Sequence, residues 1–494
     1  MQEKEKFYIT TTLPYVNAKP HMGHALEFVQ ADVLARYQTS LGKEVFFNTG
    51  TDEHGQKIYE KALEEKKNPQ NYCDEYAEKF KIILNSLTIS PDAHFIRTTD
   101  AHHISAAQEF WRRCEKNGDI YKKLYAVKYC VGCELEKTDS ELNDEGKCPI
   151  HPNLSLEHIE EENYFFRFSK YQKPLLELYT HYPDFVVPSH RLTEIKNFVS
   201  SGLEDFSISR LASKMPWGIP VPGDVHHIMY VWFDALINYI STLGWPENES
   251  VFADFWGDVK NPCAIQIAGK DNLRQQSAMW QAMLLSAGLP TSRQIFIHGF
   301  VMSGGQKMSK SLGNVVDPLD VVAMYGVDAL RYYLLREIPA HEDGDFTLEK
   351  LRTRYDADLA NGLGNFVSRV TTLAEQRDVF ENSCSDEKIK QEILHTEKYV
   401  EEKLNEYKFN EALSAIWDLI GFGDKYISEK KPWAITNDEE KNVIIEDVCA
   451  IVCALPHLLA PFLSHTAEKI EARMERKGAR ITIKKCEALF PRLS

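Results

Sequence analysis

The chain has 494 residues, with 57 Lys or Arg and 73 Asp or Glu, and its formal net charge is −16. Hydrophobic residues make up 43% and charged residues 26%, a balance that excludes a disordered, collagen-like or coiled-coil chain. The ten cysteines are too few for a disulfide scaffold. The length predicts about three domains. The acidic balance argues against nucleic-acid affinity of the whole surface, but RNA recognition through local basic patches and shape is compatible with it.

The sequence carries no pattern typical of a membrane span or of an N-terminal targeting segment. The most apolar stretch, residues 448–463, contains Pro456, His457 and Pro461 and falls short of the roughly 18–20 clean apolar residues of a span. The charged N-terminus runs directly into Phe7-Tyr8-Ile9, without an apolar signal core or an Arg-rich transit segment. We therefore expect a cytoplasmic protein with reduced thiols and no membrane association.

The first 55 residues have the pattern of an open parallel α/β sheet. A short apolar run over residues 7–11 predicts a buried strand, and Pro14, Asn17 and Pro20 then break the chain. Apolar residues at helical spacing follow from Gly23 to Gly42, and residues 45–47 predict a second strand. Sheets of this kind bind their ligands at the carboxyl ends of the strands.

The rest of the chain changes character twice. From about residue 121 to 222, aromatic residues alternate with charge and a cysteine cluster appears, which predicts an inserted module. The α/β pattern resumes at residues 264–267 and 295–297, and from about residue 351 helical stripes predict a helix bundle. The predicted domains are a catalytic domain in two halves (1–120 and 223–300), an insertion (121–222), a loop and linker (301–350), and a helical domain (351–494).

The sequence His21-Met22-Gly23-His24 follows the first strand and opens the helix. A helix N-terminus offers unpaired N–H groups and partial positive charge, and two imidazoles three residues apart share one face of its first turn. Gly23 would let a flat ring or a phosphate approach the backbone. The pattern favours a triphosphate site, although His-x-x-His by itself is more often a pair of surface histidines.

A second basic motif, Lys307-Met308-Ser309-Lys310-Ser311, follows Ser303-Gly304-Gly305. Glycines are expected to make this loop mobile, and two ammonium groups three residues apart can converge on developing phosphate charge. Electrostatic stabilisation of this kind is usually the largest catalytic contribution in phosphoryl transfer. The alternative is a solvated basic loop.

Cys130, Cys133, Cys148 and His151 form a C-x2-C-x14-C-x2-H pattern. Two closely spaced pairs of sulfur and nitrogen ligands fit one tetrahedral structural Zn²⁺. With four protein ligands there is no open coordination position, so zinc catalysis is not expected. The alternative is a set of reduced structural cysteines. The sequence shows no second set of four ligands, and we predict one ion.

The two basic motifs, in this order and on an α/β sheet, resemble the signatures of the class I aminoacyl-tRNA synthetases. HMGH is similar to the first signature, His-Ile-Gly-His, and KMSKS matches the second letter for letter. The resemblance implies a Rossmann-type catalytic domain, activation of an amino acid by ATP with Mg²⁺, and transfer to tRNA through an adenylate. His21, His24, Lys307 and Lys310 would then be catalytic.

Three further motifs, Thr12-Leu13-Pro14-Tyr15-Val16-Asn17, residues 50–55 (GTDEHG) and residues 230–235 (YVWFDA), resemble the methionyl-tRNA synthetase family. The resemblance covers essentially the whole chain and implies an α/β catalytic domain, a zinc-knuckle insertion and a helical anticodon-binding domain. It implies a methionine pocket of Leu13, Tyr15, Asp52, Trp232, Ala235 and Tyr239. It implies ATP-binding residues Asn17, His21, Gly23, His24, Gly269, Asp271, His298, Gly299, Phe300, Val301 and Lys310. It implies that Asn365, Arg369 and Trp433 read the anticodon of tRNA(Met), initiator tRNA included.

The chain departs from that family beside the expected pocket. The family commonly has an aliphatic residue and, four residues later, a histidine, where this chain has Asn272 and Gln276; position 236 is Leu where many relatives have Pro. If Gln276 replaces the histidine, its amide is expected to face the methionine sulfur, with Asn272 holding that amide in place. Both residues are therefore included in the predicted methionine pocket.

Two other classes of protein remain as alternatives. Another class I synthetase would fit the signatures, but the cysteinyl enzyme places a cysteine just before the first signature, whereas the first cysteine here is Cys73. The leucyl, isoleucyl and valyl enzymes carry a much longer insertion. A non-catalytic tRNA-binding or zinc-scaffold protein is disfavoured by the intact signatures. The chain ends at Ser494 without the C-terminal appendage that dimerises some relatives, and we expect a monomer.

Overall fold

The computed structural model describes residues 4–137, 141–307, 316–375, 378–380, 384–477, 480–485 and 487–493. The chain divides into two compact units. Unit 1 comprises Met1–Lys19, Lys43–Ile82 and Asp92–Ile297, and unit 2 comprises Pro20–Gly42, Ile83–Pro91 and His298–Ser494.

The strands of the described residues are, in chain order, β1 (Lys6–Thr10), β2 (Glu44–Thr51), β3 (His94–Arg97), β4 (Ile120–Cys130), β5 (Leu135–Lys137), β6 (Glu157–Phe166), β7 (Val186–Val187), β8 (Phe206–Ser207), β9 (Ser209–Leu211), β10 (Pro220–Val221), β11 (Asp224–Met229), β12 (Ile265–Gly269), β13 (Gln294–His298), β14 (Val301–Ser303), β15 (Gln306–Lys307), β16 (Gly344–Asp345), β17 (Asp378–Phe380), β18 (Met474–Lys477) and β19 (Arg480–Ile483).

The α-helices of the same residues are α1 (Met22–Ser40), α2 (Gln56–Glu64), α3 (Pro69–Ser86), α4 (Ala101–Lys116), α5 (Gln172–His181), α6 (Ser189–Ser200), α7 (Val231–Ala235), α8 (Asn238–Ser241), α9 (Glu249–Trp256), α10 (Trp280–Ser286), α11 (Pro318–Tyr325), α12 (Val327–Arg336), α13 (Leu348–Arg354), α14 (Asn365–Leu373), α15 (Glu387–Asn405), α16 (Phe409–Lys430), α17 (Asp438–Leu459) and α18 (Ser464–Glu471).

The centre of unit 1 is a parallel sheet with the strand order β3-β2-β1-β12-β13-β7. β1 pairs in parallel with both β2 and β12, β2 with β3, and β13 with β7. The strands are rich in β-branched and aromatic residues, and Tyr8, Ile9, Phe47, Ile267 and Phe296 are buried. The α/β class predicted from the sequence is confirmed, and β2 extends four residues beyond the predicted run, to Thr51.

The insertion adds an antiparallel sheet with the order β5-β4-β6-β8, in which β4 and β6 pair over most of their length. β4 ends at Cys130, the first predicted metal ligand. The segment also supplies β7, which joins the parallel sheet beside β13. The domain boundaries stay a prediction.

Unit 2 contains α1 and a set of packed helices. α1 contacts α12 and β14, and α15, α16 and α17 contact one another. Short strands β17, β18 and β19 form an antiparallel sheet in the C-terminal region, where the sequence predicted helices alone. Strands of three or four residues are too short to give a periodic signal in the sequence.

Among the described residues, α17 is the helix whose length and composition would allow it to cross a membrane. It contacts α14, α15, α16 and α18, and apolar residues along it, such as Ile445, Val448, Ile451 and Leu455, are buried in unit 2. A core helix has the same composition, so packing within the bundle accounts for its apolar character.

Candidate active site

The first turn of α1 is capped by its own histidines. His21 is the N-cap residue, with extended backbone (φ −141°, ψ 176°), and its Nδ1 accepts a hydrogen bond from Gly23 N at 3.1 Å. His24 Nδ1 in turn accepts from His21 N at 3.2 Å, so that the two side chains form a reciprocal capping box. A Cβ on Gly23 would lie 2.9 Å from His21 Cε1, which is why glycine fits between them.

This capping decides which ring nitrogen carries the proton. A nitrogen that accepts a hydrogen bond has no proton of its own, so each ring carries its N–H at Nε2. The two rings stack with centroids 3.8 Å apart. Burial and the neighbouring His21 both lower the pKa of His24 well below its usual value, and a neutral His24 follows. The start of α1 therefore presents neutral imidazole N–H groups beside a helix N-terminus.

The second motif begins on a tight hairpin. β14 and β15 pair antiparallel, with Met302 opposite Lys307, and are joined by Gly304 and Gly305 at φ +60° and +74°. Positive φ at both central residues is the geometry of a two-residue hairpin turn, so the two glycines join the strands in a tight turn. The mobility expected of the loop stays a prediction. The backbone of Lys307 lies in β15, and residues 308–315, Lys310 included, lie outside the described residues.

His298, the last residue of β13, contacts α1 within unit 2. His298 Nε2 lies 3.0 Å from Glu27 Oε2, on the second turn of α1, and His298 Nδ1 lies 2.7 Å from Gly299 O. A Cβ on Gly299 would lie 2.1 Å from Glu342 O, so only glycine allows this close backbone approach. The predicted ATP residues at 298–301 are thus held beside the histidine-capped helix, and Phe300 N donates to Asp343 Oδ1.

The other predicted ATP residues lie in unit 1. Gly269 ends β12, and the exposed Asp271 follows in a 3-10 turn at the carboxyl end of the strand. Asn17 is partly buried in the turn that follows Tyr15. Carboxyl ends of parallel strands are where such sheets bind ligands.

Backbone hydrogen bonds bring Tyr15 and Asp52 together. The two residues form an isolated parallel β-bridge, in which Val16 N donates to Asp52 O at 3.1 Å and Asp52 N donates to Pro14 O at 2.9 Å. The predicted pocket residue Leu13 is partly buried on the same segment. A long-range backbone bridge thus joins parts of two motifs, at residues that are 37 positions apart in the sequence.

The Asp52 carboxylate lies in a buried, acidic environment. Burial, and then the charges of Asp234 and Glu134, raise its pKa well above the usual value. Among the described residues its Oδ1 has no hydrogen-bond partner, although the atom is buried. An orphaned buried acceptor that is held against other carboxylates is suited to an ammonium group.

The buried Asp234 carboxylate contacts two histidines. Its Oδ2 lies 2.6 Å from His54 Nδ1 and its Oδ1 lies 2.8 Å from His103 Nε2. Burial by itself would raise the pKa of Asp234, but these two histidines bring it below the usual value, so the carboxylate stays ionised. Asp234 lies between the predicted pocket residues Trp232 and Ala235 and links them to the TDEHG segment.

Trp232 is partly buried and Ala235 and Tyr239 are buried. The Trp232 indole N–H has no hydrogen-bond partner in the described part of the chain. Gln276 Nε2 donates to the Tyr239 hydroxyl at 2.6 Å, and Gln266 Nε2 donates to Gln276 Oε1 at 3.2 Å.

The Gln276 amide therefore has other partners than the expected Asn272. Asn272 Nδ2 instead donates to Asp271 Oδ1 at 3.4 Å. The expectation that Asn272 holds the Gln276 amide was wrong. The reason is that Gln276 lies in a π-helical turn, Gln275–Met279, while Asn272 ends the preceding 3-10 turn.

The four predicted metal ligands converge. The ligand atoms of Cys130, Cys133, Cys148 and His151 all lie within 4.8 Å of one another. Cys133 Sγ is 3.4 Å from Cys148 Sγ and 3.3 Å from His151 Nδ1. Around a tetrahedral Zn²⁺ with Zn–S of about 2.3 Å and Zn–N of about 2.0 Å, ligand atoms would lie about 3.5–3.8 Å apart, so the donor set and its spacing fit.

Backbone N–H groups beside the cluster favour the negatively charged thiolate form of Cys148. Burial would raise the pKa of the Cys148 thiol, but backbone N–H groups of His151 and Ile150 and the Cys133 thiol bring it below the usual value. Gly132 is needed because a Cβ there would lie 2.4 Å from the His151 ring. A thiolate is the form that binds metal.

One contact links the cysteine cluster to the predicted pocket, and the sequence analysis missed it. Glu134, next to Cys133, accepts a hydrogen bond from the Tyr15 hydroxyl at 2.8 Å. Lys57 Nζ donates to Gly132 O at 2.6 Å and so fastens the same loop. The only signal in the sequence was that Glu134 lies next to the predicted metal ligand Cys133. This signal did not identify Tyr15 as the partner of Glu134, because 119 residues separate the two.

The predicted anticodon residues lie in unit 2. Asn365 is exposed and Arg369 partly exposed on α14, whose Phe366, Val367 and Val370 are buried. Arg369 forms an ion pair with Asp424 on α16. α16 ends at Lys430, and Trp433 follows with 56% of its surface exposed. An aromatic residue this exposed is available for stacking.

Comparison with known proteins agrees with this geometry. The family described as "tRNA synthetases class I (M)" matches residues 7–156 and 153–371, and the "Anticodon-binding domain of tRNA ligase" matches residues 386–488. With its parallel sheet, histidine-capped helix and KMSKS segment, the chain is a class I aminoacyl-tRNA synthetase.

The methionine–tRNA ligase of Thermotoga maritima is 40% identical over 480 residues, which are 95% of this chain and 75% of that protein. That of Thermosynechococcus vestitus is 41% identical over 482 residues, 95% of this chain and 90% of that protein. The structure of Mycobacterium tuberculosis methionyl-tRNA synthetase in complex with methionyl-adenylate superposes with a TM-score of 0.91 at 34% identity, covering 99% and 100% of the two chains. The chain belongs to the methionyl-tRNA synthetase family, and it activates methionine with ATP and charges tRNA.

Proposed function

We propose that the chain makes methionyl-adenylate in the class I manner and that the residues predicted above carry out the reaction. A carboxylate oxygen of methionine attacks the α-phosphorus of ATP, the bond to the β-phosphate oxygen breaks, and pyrophosphate leaves. The 2′-hydroxyl of the terminal adenosine of tRNA then attacks the adenylate carbonyl, and AMP leaves. The observation that carries the proposal is the reciprocal His21–His24 cap, which holds two imidazole rings at a helix N-terminus.

In this proposal the two histidines donate to phosphate oxygens, and Lys307 and Lys310 add positive charge as the transition state forms. Mg²⁺, which accompanies ATP, would neutralise part of the triphosphate charge. His298 with its Glu27 partner and Gly299, Phe300 and Val301 form the adenine side, and Gly269 with Asp271 the ribose side. Gly23 and Asn17 would complete the nucleotide contacts.

The methionine side of the proposal is supported by orphaned buried polar atoms. The Asp52 carboxylate would bind the ammonium group and so satisfy its unpartnered Oδ1. Trp232, Ala235, Leu13 and Tyr239 would surround the side chain, since a thioether packs well against polarizable aromatic surfaces. Tyr15, held by Glu134, would close the pocket, and Asn272 and Gln276 remain predicted members of its outer part.

A structural Zn²⁺ held by Cys130, Cys133, Cys148 and His151 is supported by the spacing of the four ligand atoms. Four protein ligands would give the metal a purely structural role. A cytoplasmic location suits tRNA charging, whereas a monomeric state and use of initiator tRNA stay predictions.

Exchange of pyrophosphate into ATP tests the first step. The purified protein should exchange labelled pyrophosphate into ATP only when methionine is present, because adenylate formation is reversible and needs the acid. Cysteine, leucine, isoleucine and valine serve as matched controls. Exchange driven by one of these, or by none, would contradict the assignment of methionine as substrate.

Asn365, Arg369 and Trp433 are proposed to read the tRNA anticodon, through edge hydrogen bonds and stacking. Trp433→Ala should remove a base stack of roughly 1–3 kcal/mol and lower aminoacylation at limiting tRNA about 5- to 150-fold. Methionine-dependent exchange without tRNA should be unchanged. Leu394→Ala, an exposed apolar residue on α15, is the matched control. Equal losses of exchange and aminoacylation would show that Trp433 supports the fold instead.

A further inference from the structure

A cavity of about 440 Å³ lies within unit 1, between the insertion and the turns that follow β12. Its volume is in the range of pockets that bind small ligands. The insertion contributes aromatic side chains to its lining, and the turns contribute a guanidinium group, an amide and a thioether. These residues are Phe168, Phe198, Phe206, Arg274, Gln275 and Met279. None of the described residues that line the cavity is among those predicted to bind methionine or ATP.

The lining of this cavity includes a polar atom that the described residues leave without a partner. Only 6% of the Gln275 surface is exposed, and its Oε1 is buried with no hydrogen bond to the described part of the chain. Buried polar atoms are nearly always paired, because an unpaired one costs stability. An amide offers both an acceptor and donors. A ligand that carries donors and acceptors side by side would therefore satisfy Gln275.

The same cavity offers a surface on which a flat ring can stack. The guanidinium carbon of Arg274 lies 4.3 Å from the centre of the Phe198 ring, which is a cation–π contact. Arg274 Nη1 also lies 3.3 Å from Glu141 Oε1, so the guanidinium group is held from two sides. The Arg274 side chain is still 55% exposed. A guanidinium plane held in this way can stack a base on its second face.

The chemistry of this lining suits a nucleobase. Cytosine and adenine each carry an amino group beside a ring nitrogen that accepts, and a glutamine amide binds such an edge with two hydrogen bonds. Unpaired bases of RNA are recognised in the same way, by stacking on aromatic or guanidinium planes and by hydrogen bonds to their edges. The tRNA that the chain charges ends in an unpaired C-C-A, which supplies bases of this kind.

We propose that this cavity binds the cytosine that precedes the terminal adenosine of tRNA, with Arg274 on Phe198 as the stacking surface and Gln275 as the hydrogen-bonding group. The proposal rests on the transfer step of the proposed function. Arg274 and Gln275 follow closely after Asp271, on the ribose side of the proposed nucleotide site. Holding the cytosine here would fix the neighbouring ribose and present its 2′-hydroxyl to the adenylate carbonyl.

The test is the single-turnover rate of transfer from preformed methionyl-adenylate to tRNA. Gln275→Leu keeps the size of the side chain but cannot form hydrogen bonds, and it should lower this rate about tenfold, within the roughly 5- to 150-fold range of a bidentate contact to a base. Arg274→Lys keeps the charge without the plane and should lower the rate about two- to fivefold. Pyrophosphate exchange and the KM for methionine should be unchanged, and normal exchange also shows that each variant is folded.

The chain offers a matched control for each variant. Gln38 on α1 is also a buried glutamine whose Oε1 has no partner among the described residues. Arg167 also lies 4.3 Å from the centre of an aromatic ring, that of Tyr121. Neither residue lines the cavity. Gln38→Leu and Arg167→Lys should both keep the wild-type rate of transfer.

A tRNA that lacks the base next to its terminal adenosine tests the contact directly. The wild-type protein should transfer methionine to this tRNA more slowly than to the complete one. Gln275→Leu should lose little further rate with it, because the base that Gln275 contacts is already absent. Losses that multiply, as for independent sites, would show that Gln275 and this base do not interact.

The outcomes that overturn the proposal are distinguishable. If Gln275→Leu and Arg274→Lys keep the wild-type rate of transfer, the cavity does not bind the acceptor end. If Gln275→Leu instead raises the KM for methionine in exchange and leaves transfer unchanged, the cavity belongs to the methionine pocket. If the wild-type protein shows no methionine-dependent exchange, the proposed function itself fails, and the inference fails with it.

Discussion

His24→Ala should lower methionine-dependent pyrophosphate exchange on the order of 10²- to 10³-fold, the effect of losing one preorganised donor to a transition state. Loss of the His24 side chain removes both a helix cap and a proposed hydrogen-bond donor to the transition state, and the two effects can be separated. His24 Nδ1 also caps His21 N, and a lost cap costs about 1 kcal/mol of stability. The rate loss corresponds to about 3–4 kcal/mol, so capping alone cannot account for it.

A second variant separates the two roles of these histidines. Asn is a preferred N-cap residue, so His21→Asn should keep the start of α1 and a near-normal melting temperature, but its amide is too short to reach where Nε2 lies. Exchange should still fall about 10²-fold, with the KM for methionine little changed. The exposed His190→Ala on α6 is the matched control. Near-normal exchange in both His24→Ala and His21→Asn would defeat the assignment.

Metal analysis of the purified protein should find about one zinc per chain, and Cys148→Ser should abolish it, since a buried site with three ligands binds Zn²⁺ far more weakly. The loop that carries Cys133 also carries Glu134 and Gly132, whose contacts with Tyr15 and Lys57 fasten the knuckle. Without the metal this loop should loosen, and the KM for methionine should rise about tenfold as Tyr15 loses a fixed partner.

Cys263→Ser is the matched control, because Cys263 is a partly exposed cysteine of the same unit that bonds to Asn261 O. It should keep the metal and the KM. Limited proteolysis of the apoprotein should cleave within residues 130–151 sooner than in the metal-bound protein. A metal-free Cys148→Ser protein with normal methionine kinetics and normal protease resistance would refute both the knuckle and its link to Tyr15.

Local patterns predicted the features whose partners lie close together in the chain. The spacing C-x2-C-x14-C-x2-H predicted that four ligand atoms converge, and in the structure they lie within 4.8 Å of one another. The prediction was possible because each closely spaced pair lies in a tight turn with its own backbone geometry. His-x-x-His at a helix start was enough for the capping box, since N-cap and N3 positions face each other in any α-helix. The signatures also identified the family, which the comparisons confirm.

Not every local expectation described the fold correctly. Gly304 and Gly305 both lie at positive φ in a hairpin turn, because two residues that tolerate left-handed geometry are what such a turn requires, and the mobility expected of the loop stays a prediction. The C-terminal region was predicted as helical throughout, and β17, β18 and β19 were missed because strands of three or four residues give no periodic signal. The pairing of β17 with β19 also joins segments that are about 100 residues apart.

The sequence by itself determined the class of fold, the family, the capped helix and the ligand set, all of which depend on residue types at fixed short spacings. Only the tertiary structure decided that Glu134 holds Tyr15, that Asp234 lies between His54 and His103, and that Gln276 bonds to Tyr239 rather than to Asn272. These contacts join residues from 37 to 180 positions apart. The physical reason is that backbone geometry restricts neighbours in sequence to a few arrangements, whereas the partner of a distant side chain is set by how strands and helices pack.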